Sequence, residues 1–314
     1  MRVASIDIGT NTTRLLVAET TRSAPGYREL ERRLEYTRLG EGVDAAGRIA
    51  STSLKRTLEV IADFCALCGE FQVDRVRVAA TSAVRDAANR DEFLSAVGRL
   101  AGTGPEMLEG GDEARLSFVG ATSGLASGRY LVCDIGGGST ELFLGRVLDG
   151  EVTEEGSVSL DVGSVRLTER ILESDPPSAG ELDQLEKTID DHLAEARSLL
   201  SGAEAASFIG VAGTVTSLAA INLKLDRYDP GRTHHATLSS HDVESQYRRL
   251  ASIPLASRRK ITVLPPARAD VIVAGAAILH CSMKTWAFSQ VLVSERDILD
   301  GLVIEMIRVP ARGE

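Results

Sequence analysis

A short motif occurs twice in this chain of 314 residues, and the repetition limits the folds open to it. Residues 7–14 read DIGTNTTR, and residues 134–141 read DIGGGSTE. Each copy lies between two apolar stretches that are predicted strands, which indicates a tight β-turn with an aspartate at the end of the first strand. Two such copies, each opening a segment of alternating strands and helices, predict two related lobes that face each other across a cleft.

The residues inside the motif suit a phosphate ligand. Glycine lets the main chain approach a phosphate closely, and N–H groups and hydroxyls of the turn can bind its oxygens. A single turn of this kind could equally be an ordinary hairpin, because short glycine-rich matches have a high false-positive rate. The repetition favours two turns that hold one phosphate group from opposite sides. The second turn consists of Gly136, Gly137, Gly138 and Ser139.

The two copies differ at their last residue, which is Arg14 in the first and Glu141 in the second. A planar guanidinium group matches the oxygens of a phosphate. Glu141 together with Asp134 offers the hard carboxylate oxygens that Mg²⁺, or Mn²⁺ in its place, prefers. We therefore expect the first turn to supply positive charge directly and the second to supply it through a metal ion. An exposed strand residue is the alternative interpretation of Glu141.

Composition excludes several classes of protein. Hydrophobic residues make up 43% of the chain and charged residues 25%, as in soluble globular proteins. The sequence shows neither a membrane span nor a secretory leader, and its four cysteines do not resemble a disulfide framework, so we expect a reducing cytoplasm. A formal net charge of −10 argues against a general nucleic-acid binder. We expect neither nucleic acid nor membrane as a partner.

One segment has a net positive charge, although the chain as a whole is acidic. Residues 222–270 contain nine basic and five acidic residues, a local charge of +4. This excess predicts a surface that steers the tail of a polyanionic substrate, and ordinary solvated helix faces are the alternative. The densest group in the segment is Arg258, Arg259 and Lys260.

Strands and helices are predicted to alternate along the rest of the chain, which gives an α/β fold. Residues 1–120, with a C-terminal helix at 297–314, form the predicted first lobe, and residues 121–296 form the second. The predicted strands are 2–9, 14–20, 27–39, 73–81, 129–138, 141–148, 206–213 and 290–295, and the main predicted helices are 53–71, 91–101, 113–125, 180–200, 214–224, 240–252, 267–285 and 297–308.

Six segments in this order make the sequence resemble a known family. They read DIGTNTTRLLV, ATSAVRDAANR, EGGDEARL, DIGGGSTEL, SLDVGSVRLTE and GVAGTVTSL. Together they are similar to the exopolyphosphatase/guanosine pentaphosphate phosphohydrolase family, within the actin/sugar-kinase/chaperone-ATPase superfamily. The resemblance implies two lobes with an RNase H-like fold, a homodimer, and hydrolysis that releases orthophosphate from the end of inorganic polyphosphate.

The resemblance also implies a role for each matching position. Glu113 matches the general base that activates water, whereas the residues alone favour an acid that complements the helix dipole. Asp134 and Glu141 match an acidic pair near a divalent ion, Mg²⁺ or Mn²⁺. The implied phosphate-binding residues are Asn11, Thr12, Arg14, Arg85, Gly136, Gly137, Gly138 and Ser139.

The chain departs from the family pattern at two positions. Asp112 replaces the glutamate that usually precedes the catalytic one, and Ala212 stands where many relatives have glycine or serine. Three other functions stay open on the sequence: a guanosine pentaphosphate 5′-phosphohydrolase, a kinase or ATPase of the same superfamily, and a non-catalytic sensor that binds polyphosphate.

Overall fold

The computed structural model describes residues 1–22 and 26–308, and its contacts divide the chain into two compact units. The first unit contains Met1–Leu125 together with residues 296–308, and the second contains Ala126–Glu295. Residues 309–314, the end of the predicted C-terminal helix, lie outside the described part. Within the described ranges, no helix has both the length and the apolar character needed to cross a membrane.

The strands and helices follow one another as an α/β chain. The strands are β1 (Arg2–Ile8), β2 (Thr13–Thr20), β3 (Tyr27–Glu35), β4 (Arg75–Ala80), β5 (Glu106–Met107), β6 (Gly128–Ile135), β7 (Thr140–Leu148), β8 (Glu151–Leu160), β9 (Ser207–Val211), β10 (Thr237–Ser239) and β11 (Gln290–Val293). The helices are α1 (Val43–Ala46), α2 (Ser51–Glu70), α3 (Ser82–Arg85), α4 (Arg90–Ala101), α5 (Gly110–Thr122), α6 (Ser164–Ile171), α7 (Ala179–Leu199), α8 (Ala212–Asn222), α9 (Pro230–Thr233), α10 (Ser240–Ala251), α11 (Leu255–Arg258), α12 (Ile272–Thr285) and α13 (Ile298–Arg308), with a short 3₁₀ turn at Ala203–Ala205.

The two units share one sheet topology. The first sheet has the order β3-β2-β1-β4-β5, with β1, β2 and β3 antiparallel and β4 and β5 parallel to β1. The second has the order β10-β11-β9-β6-β7-β8, in which β6, β7 and β8 are antiparallel and β9 and β11 run parallel to β6. It therefore repeats the five-stranded order of the first sheet and adds β10 at one edge. The predicted α/β fold of two RNase H-like, actin-type lobes is confirmed.

Strand β1 shows how the sequence builds the first unit. Its side chains alternate between the two faces of the sheet, and Ala4, Ile6 and Ile8 pack into an apolar core with residues of α2 and α4. On the opposite face the Ser5 hydroxyl donates a hydrogen bond to the Leu299 carbonyl of α13, 2.9 Å away. Because both faces are covered, β1 is buried almost throughout, as a central strand should be.

The sequence pattern did not reveal two neighbouring elements of the second unit. Strand β8 is an edge strand whose residues are mostly exposed or half-buried, so its sequence, EVTEEGSVSL, lacks a clear apolar alternation. Helix α6 follows it and is only eight residues long. Edge strands and short helices bury little apolar surface and leave weak periodic signals. Both elements matter for the site described below.

Helices α5 and α13 cross at two glycines, where their backbones are too close to accommodate a side chain. A Cβ added at Gly120 would lie 1.9 Å from the Asp297 carbonyl oxygen, and one added at Gly301 would lie 2.1 Å from the Leu116 carbonyl oxygen. These are backbone atoms, so no side-chain rotation can relieve the clash. The crossing holds α5, which carries Glu113, against α13 and the sheet.

We expect Gly120→Ala to lower the free energy of unfolding by about 1–3 kcal/mol, the usual cost of overpacking. Gly111→Ala is the matched control, because it lies on the same helix with no atom within 4 Å of the added Cβ. The control should be neutral or slightly stabilising, since alanine is the better helix former. Urea unfolding of both variants measures the difference, and equal stabilities would contradict the close crossing.

Candidate active site

The two motif copies form turns with the same internal hydrogen bond. The Gly9 N–H donates to the Thr12 carbonyl at 2.9 Å, and the Gly136 N–H donates to the Ser139 carbonyl at 3.0 Å. The flanking strands also pair in the same register, with Asp7 opposite Arg14 in one unit and Asp134 opposite Glu141 in the other. The repeat in the sequence is thus a repeat in structure, and each pair of charged residues shares one face of its sheet.

In the second turn, three successive carbonyl groups are turned toward the start of α6. The Gly136 oxygen accepts from Ser164 N–H (3.0 Å), the Gly137 oxygen from Val165 N–H (2.9 Å) and Arg166 N–H (3.1 Å), and the Gly138 oxygen from Arg166 Nε (2.6 Å). Gly163 makes this approach possible, because a Cβ there would lie 2.3 Å from the Gly137 oxygen.

The orientation of these carbonyls fixes the N–H groups of the turn. In a planar trans peptide the N–H points away from the C=O of the preceding residue. The N–H groups of Gly137, Gly138 and Ser139 therefore point away from α6. Successive N–H groups presented in this way form a concave site for an anion. Phosphate binding by this turn stays a prediction, and the N–H groups of Gly137, Gly138 and Ser139 are the donors available for it, because the Gly136 N–H is bonded to the Ser139 carbonyl.

The first turn is held in a similar way by the segment that follows β3. The Thr10 oxygen accepts from Gly40 N–H at 2.8 Å, and the Asn11 oxygen accepts from Arg38 N–H at 3.0 Å. Gly40 must be a glycine, because its Cβ would lie 2.3 Å from the Thr10 side chain. Asn11 and Thr12 thus lie on a turn whose carbonyls are fixed from behind, as in the second unit.

Arg14 lies in a buried ion network. Its Nε and Nη2 donate to Asp7 Oδ2 at 3.0 and 2.6 Å, and its Nη1 donates to Asp297 Oδ2. Burial opposes the charge, but the carboxylates of Asp297 and Asp7 raise the pKa of Arg14 above its ordinary value, so it stays protonated. Three donors of the guanidinium are directed at carboxylates, and the contact of Arg14 with phosphate remains a prediction.

Asp7 is the partner in this network whose hydrogen bonding is incomplete. Its Oδ1 is buried without a hydrogen-bond partner among the described residues. Burial raises the pKa of the Asp7 carboxyl, and Arg14 only partly opposes this shift. The Asp297 carboxylate also accepts from Leu299 N–H at 3.1 Å at the start of α13. The network therefore connects the first turn to the last helix of the same unit.

Glu113 and Arg85, which the sequence places far apart, meet in the first unit. Arg85 Nη1 donates to Glu113 Oε1 at 2.8 Å and to the Leu108 carbonyl at 2.9 Å. Glu113 is only 6% exposed, which is unusual for an acid in the first turn of a helix. Its neighbour Asp112 is exposed. A buried, ion-paired carboxylate favours a specific role for Glu113 over a mere complement to the helix dipole.

The acidic pair of the second unit is suitable for a magnesium ion. Asp134 and Glu141 are both buried and lie opposite each other on β6 and β7, and Glu141 Oε1 accepts from the Ser159 hydroxyl at 2.9 Å. Over residues 1–22 and 26–308 no group of three or more His, Cys, Asp or Glu side chains could hold a metal. Mg²⁺ typically takes one or two carboxylates and completes its shell with water and substrate phosphates. Two carboxylates therefore fit this ion.

The basic cluster divides into one buried and two exposed residues. Arg258 is 4% exposed, and its Nη2 donates to Asp175 Oδ1 at 2.9 Å. Burial lowers the pKa of Arg258, although Asp175 opposes the shift. Arg259 and Lys260 are exposed. Contact with a substrate tail is therefore a proposal for Arg259 and Lys260, and Arg258 instead holds the segment around Asp175.

We expect Arg258→Ala to lower the free energy of unfolding by about 1–3 kcal/mol, the usual cost of losing a hydrogen bond to a charged group. Arg259→Ala, its exposed neighbour, should stay within about 0.5 kcal/mol of the unchanged chain. The same two variants, assayed with long polyphosphate in low and high salt, test the tail contact. A larger effect of Arg259→Ala than of Arg258→Ala on stability would contradict this division.

Ala212 begins α8 with a φ of 66°, in the left-handed region that favours glycine. This is the position at which the sequence departs from many relatives. The GVAGT segment therefore keeps, with an alanine, a backbone conformation that a glycine would adopt without strain.

Comparison with known proteins agrees with this geometry. The family model described as the Ppx/GppA phosphatase family matches residues 16–309. The chain belongs to the Ppx/GppA phosphatase family. Among curated relatives, exopolyphosphatase 2 of Mycobacterium tuberculosis is 37% identical, over 97% of this chain and 98% of the relative. Membership accounts for the ordered motifs along nearly the whole sequence.

Solved structures of similar proteins share the fold. A crystal structure of an exopolyphosphatase-like protein has a TM-score of 0.91 and 35% identity, covering 98% of this chain and 99% of the other. The Aquifex aeolicus member of the Ppx/GppA family has a TM-score of 0.81 and 30% identity, covering 98% of both chains. The α/β fold of two related lobes, which the repeat predicts and the resemblance implies, is therefore the fold of the family.

Sequence reasoning missed Arg166. The residue lies in the segment SLDVGSVRLTE, which contributed to the resemblance without suggesting a role for any side chain. Its basic character and its position shortly after a Gly-Ser pair are a weak signal. Only the structure shows that its guanidinium contacts the second turn.

Proposed function

We propose that this member of the Ppx/GppA family is an exopolyphosphatase that hydrolyses the terminal phosphoanhydride of inorganic polyphosphate. The observation that carries the proposal is the full-length similarity to a curated exopolyphosphatase. The two repeated turns and the ion pair between buried Glu113 and half-buried Arg85 support the proposal. The guanosine pentaphosphate alternative gains no support from any feature of the site.

In this proposal, phosphate oxygens accept hydrogen bonds from the N–H groups of Gly137, Gly138 and Ser139 in the second turn. Asn11 and Thr12 of the first turn also bind phosphate oxygens. Such donors stabilise the charge on the transferred phosphoryl group without moving during the reaction. Arg85 adds positive charge. Arg14 keeps the first turn in place through Asp7, and a lysine at this position would lack the planar guanidinium fork. Asp134 and Glu141 would hold Mg²⁺, which would neutralise phosphate charge.

Glu113 is assigned as the general base. A water molecule attacks the terminal phosphorus, Glu113 accepts its proton, and the bond from that phosphorus to the bridging oxygen breaks. The products are orthophosphate and a polyphosphate chain shorter by one unit. The ion pair with Arg85 orients the carboxylate before substrate binds. Proton acceptance by a positioned side chain contributes about 10²–10⁴-fold to such reactions.

Two further assignments belong to the same proposal. A homodimer follows from the family resemblance. A cytoplasmic location follows from the cysteine usage, since the four cysteines are free thiols, as a reducing compartment would keep them. Light scattering measures the oligomeric state directly.

Phosphate release from three substrates under matched Mg²⁺ tests the function. Long polyphosphate and tripolyphosphate should release orthophosphate, and guanosine pentaphosphate should be a poorer substrate at equal concentration. A preference for the nucleotide would replace the proposal by the phosphohydrolase alternative. Nucleotide-dependent transfer of phosphate to an acceptor would indicate a kinase, and binding of polyphosphate without turnover would indicate a sensor.

A further inference from the structure

The N-terminal part of α6 and the side chain of Arg166 form a support behind the second turn. Main-chain N–H groups of α6 hold the carbonyls of Gly136 and Gly137, whereas the Gly138 carbonyl is held by the Arg166 side chain, with 2.6 Å between Nε and the oxygen. The Arg166 side chain is only 11% exposed, and the nearest Asp161 oxygen lies 4.0 Å from its Nη2. The guanidinium thus lies beside the turn itself.

In the first turn, the corresponding carbonyl is held by a main-chain N–H and not by a side chain. There the Asn11 carbonyl, which corresponds to that of Gly138 in the aligned motifs, accepts from the main-chain N–H of Arg38 at 3.0 Å. In both turns, therefore, the carbonyl at this position, of Asn11 or of Gly138, accepts a hydrogen bond from a residue outside the turn. In the second unit this task falls to a replaceable side chain.

Holding the Gly138 carbonyl has a direct effect on Ser139. The two groups belong to one planar peptide, so the Ser139 N–H must point away from Arg166. A cation hydrogen-bonded to the carbonyl also polarises the same peptide and strengthens the N–H as a donor. Without Arg166, the glycine before this peptide could rotate freely and turn the N–H away from the ligand.

We propose that Arg166 is a positioning residue for the second phosphate turn, where it directs the Ser139 N–H toward a bound phosphate. The proposal rests on the proposed function, because it takes the terminal phosphate of a polyphosphate as the ligand of the turn. Arg166 acts through the Gly138–Ser139 peptide, so its contribution is geometric as well as electrostatic.

Substitutions at Arg166 separate the geometric part from the charge. We expect Arg166→Ala to lower kcat/KM for tripolyphosphate by about 10–100-fold, less than the roughly 10²–10³-fold in kcat lost when an oxyanion donor is removed outright. Arg166→Lys keeps the charge but lacks the planar fork, so it should recover little of the loss. Arg170→Ala is the matched control, since it removes the same charge from an exposed position one turn later on α6.

Chemical rescue distinguishes a positioning role from a purely structural one, because added guanidinium should restore turnover only if the missing group acts at the turn. Millimolar guanidinium chloride should raise the turnover of Arg166→Ala and leave that of Arg170→Ala unchanged, with thermal midpoints measured on the same preparations. Equal kcat/KM for the two alanine variants, or full recovery in Arg166→Lys, would overturn the proposal. If Arg166→Ala does not fold, Arg166→Lys still tests the proposal. A lysine variant that folds and keeps full activity would overturn it, and one that folds but loses activity would support it.

Failure of the proposed function would give a different pattern. If the unchanged protein releases no phosphate from any polyphosphate, the activity is wrong, and calorimetric binding of tripolyphosphate then tests Arg166. Weaker binding in Arg166→Ala than in Arg170→Ala would support the positioning role, and equal binding would refute it.

Discussion

The Glu113→Gln variant is expected to bind polyphosphate and to turn it over about 10²–10⁴-fold more slowly than the unchanged protein. Glutamine keeps the size of the side chain and can still accept the hydrogen bond from Arg85, whose Nη1 lies 2.8 Å from Glu113 Oε1. It cannot accept a proton from water. Binding should survive or tighten, because a negative charge that repels the phosphates is gone.

Asp112→Asn is the control for this experiment. It removes an exposed carboxylate from the same first turn of α5, so it reproduces any effect on the helix dipole without touching the buried pair. Its kcat should be close to that of the unchanged protein. A Glu113→Gln variant that behaves like Asp112→Asn, with near-normal kcat, would remove Glu113 from the mechanism.

Asp134→Asn and Glu141→Gln should each lower activity and shift the Mg²⁺ titration to higher concentration. Both carboxylates are buried on one face of the sheet, and each variant removes one negative oxygen donor from the pair. The loss in metal affinity or activity should be about 10–100-fold or more, the range found when even outer-shell partners of a metal are removed. Activity measured across a Mg²⁺ titration gives both quantities.

The matched control for the acidic pair is Glu151→Gln, an exposed carboxylate at the start of β8 in the same sheet. It should leave the titration unchanged. Titrations of Asp134→Asn and Glu141→Gln that coincide with that of Glu151→Gln would show that the pair is structural. Replacing Mg²⁺ by Mn²⁺ in the same assay determines which of the two ions supports higher turnover.

The sequence was sufficient to predict the fold because its decisive features are local. The aspartate, the glycines and the hydroxyl residues of each turn follow one another, and the flanking strands are apolar enough to be recognised. A local hydrogen bond, from Gly136 N–H to the Ser139 carbonyl, closes the turn. Repetition of such a local pattern is visible without any knowledge of tertiary contacts.

The supports behind the turns could not be predicted, because they come from distant parts of the chain. Asp297, just before the last helix, contacts Arg14, and Arg166, which contacts Gly138, lies on a short helix that follows an edge strand with no clear periodicity. Arg258 illustrates the same limit. In the sequence it belongs to a basic cluster that suggests a surface, but the short helix α11 turns its side chain inward toward Asp175.

The end-group signal of polyphosphate in ³¹P NMR tests the central claim most directly. An enzyme that removes terminal units releases orthophosphate while the number of chain ends stays constant until the chains are short. We predict a rising orthophosphate signal with a constant end-group signal for the unchanged protein, and no rise in orthophosphate over the same period for Glu113→Gln. An end-group signal that rises during the reaction would reveal internal cleavage. A spectrum that stays constant in the presence of the protein without substitutions would refute hydrolysis of polyphosphate.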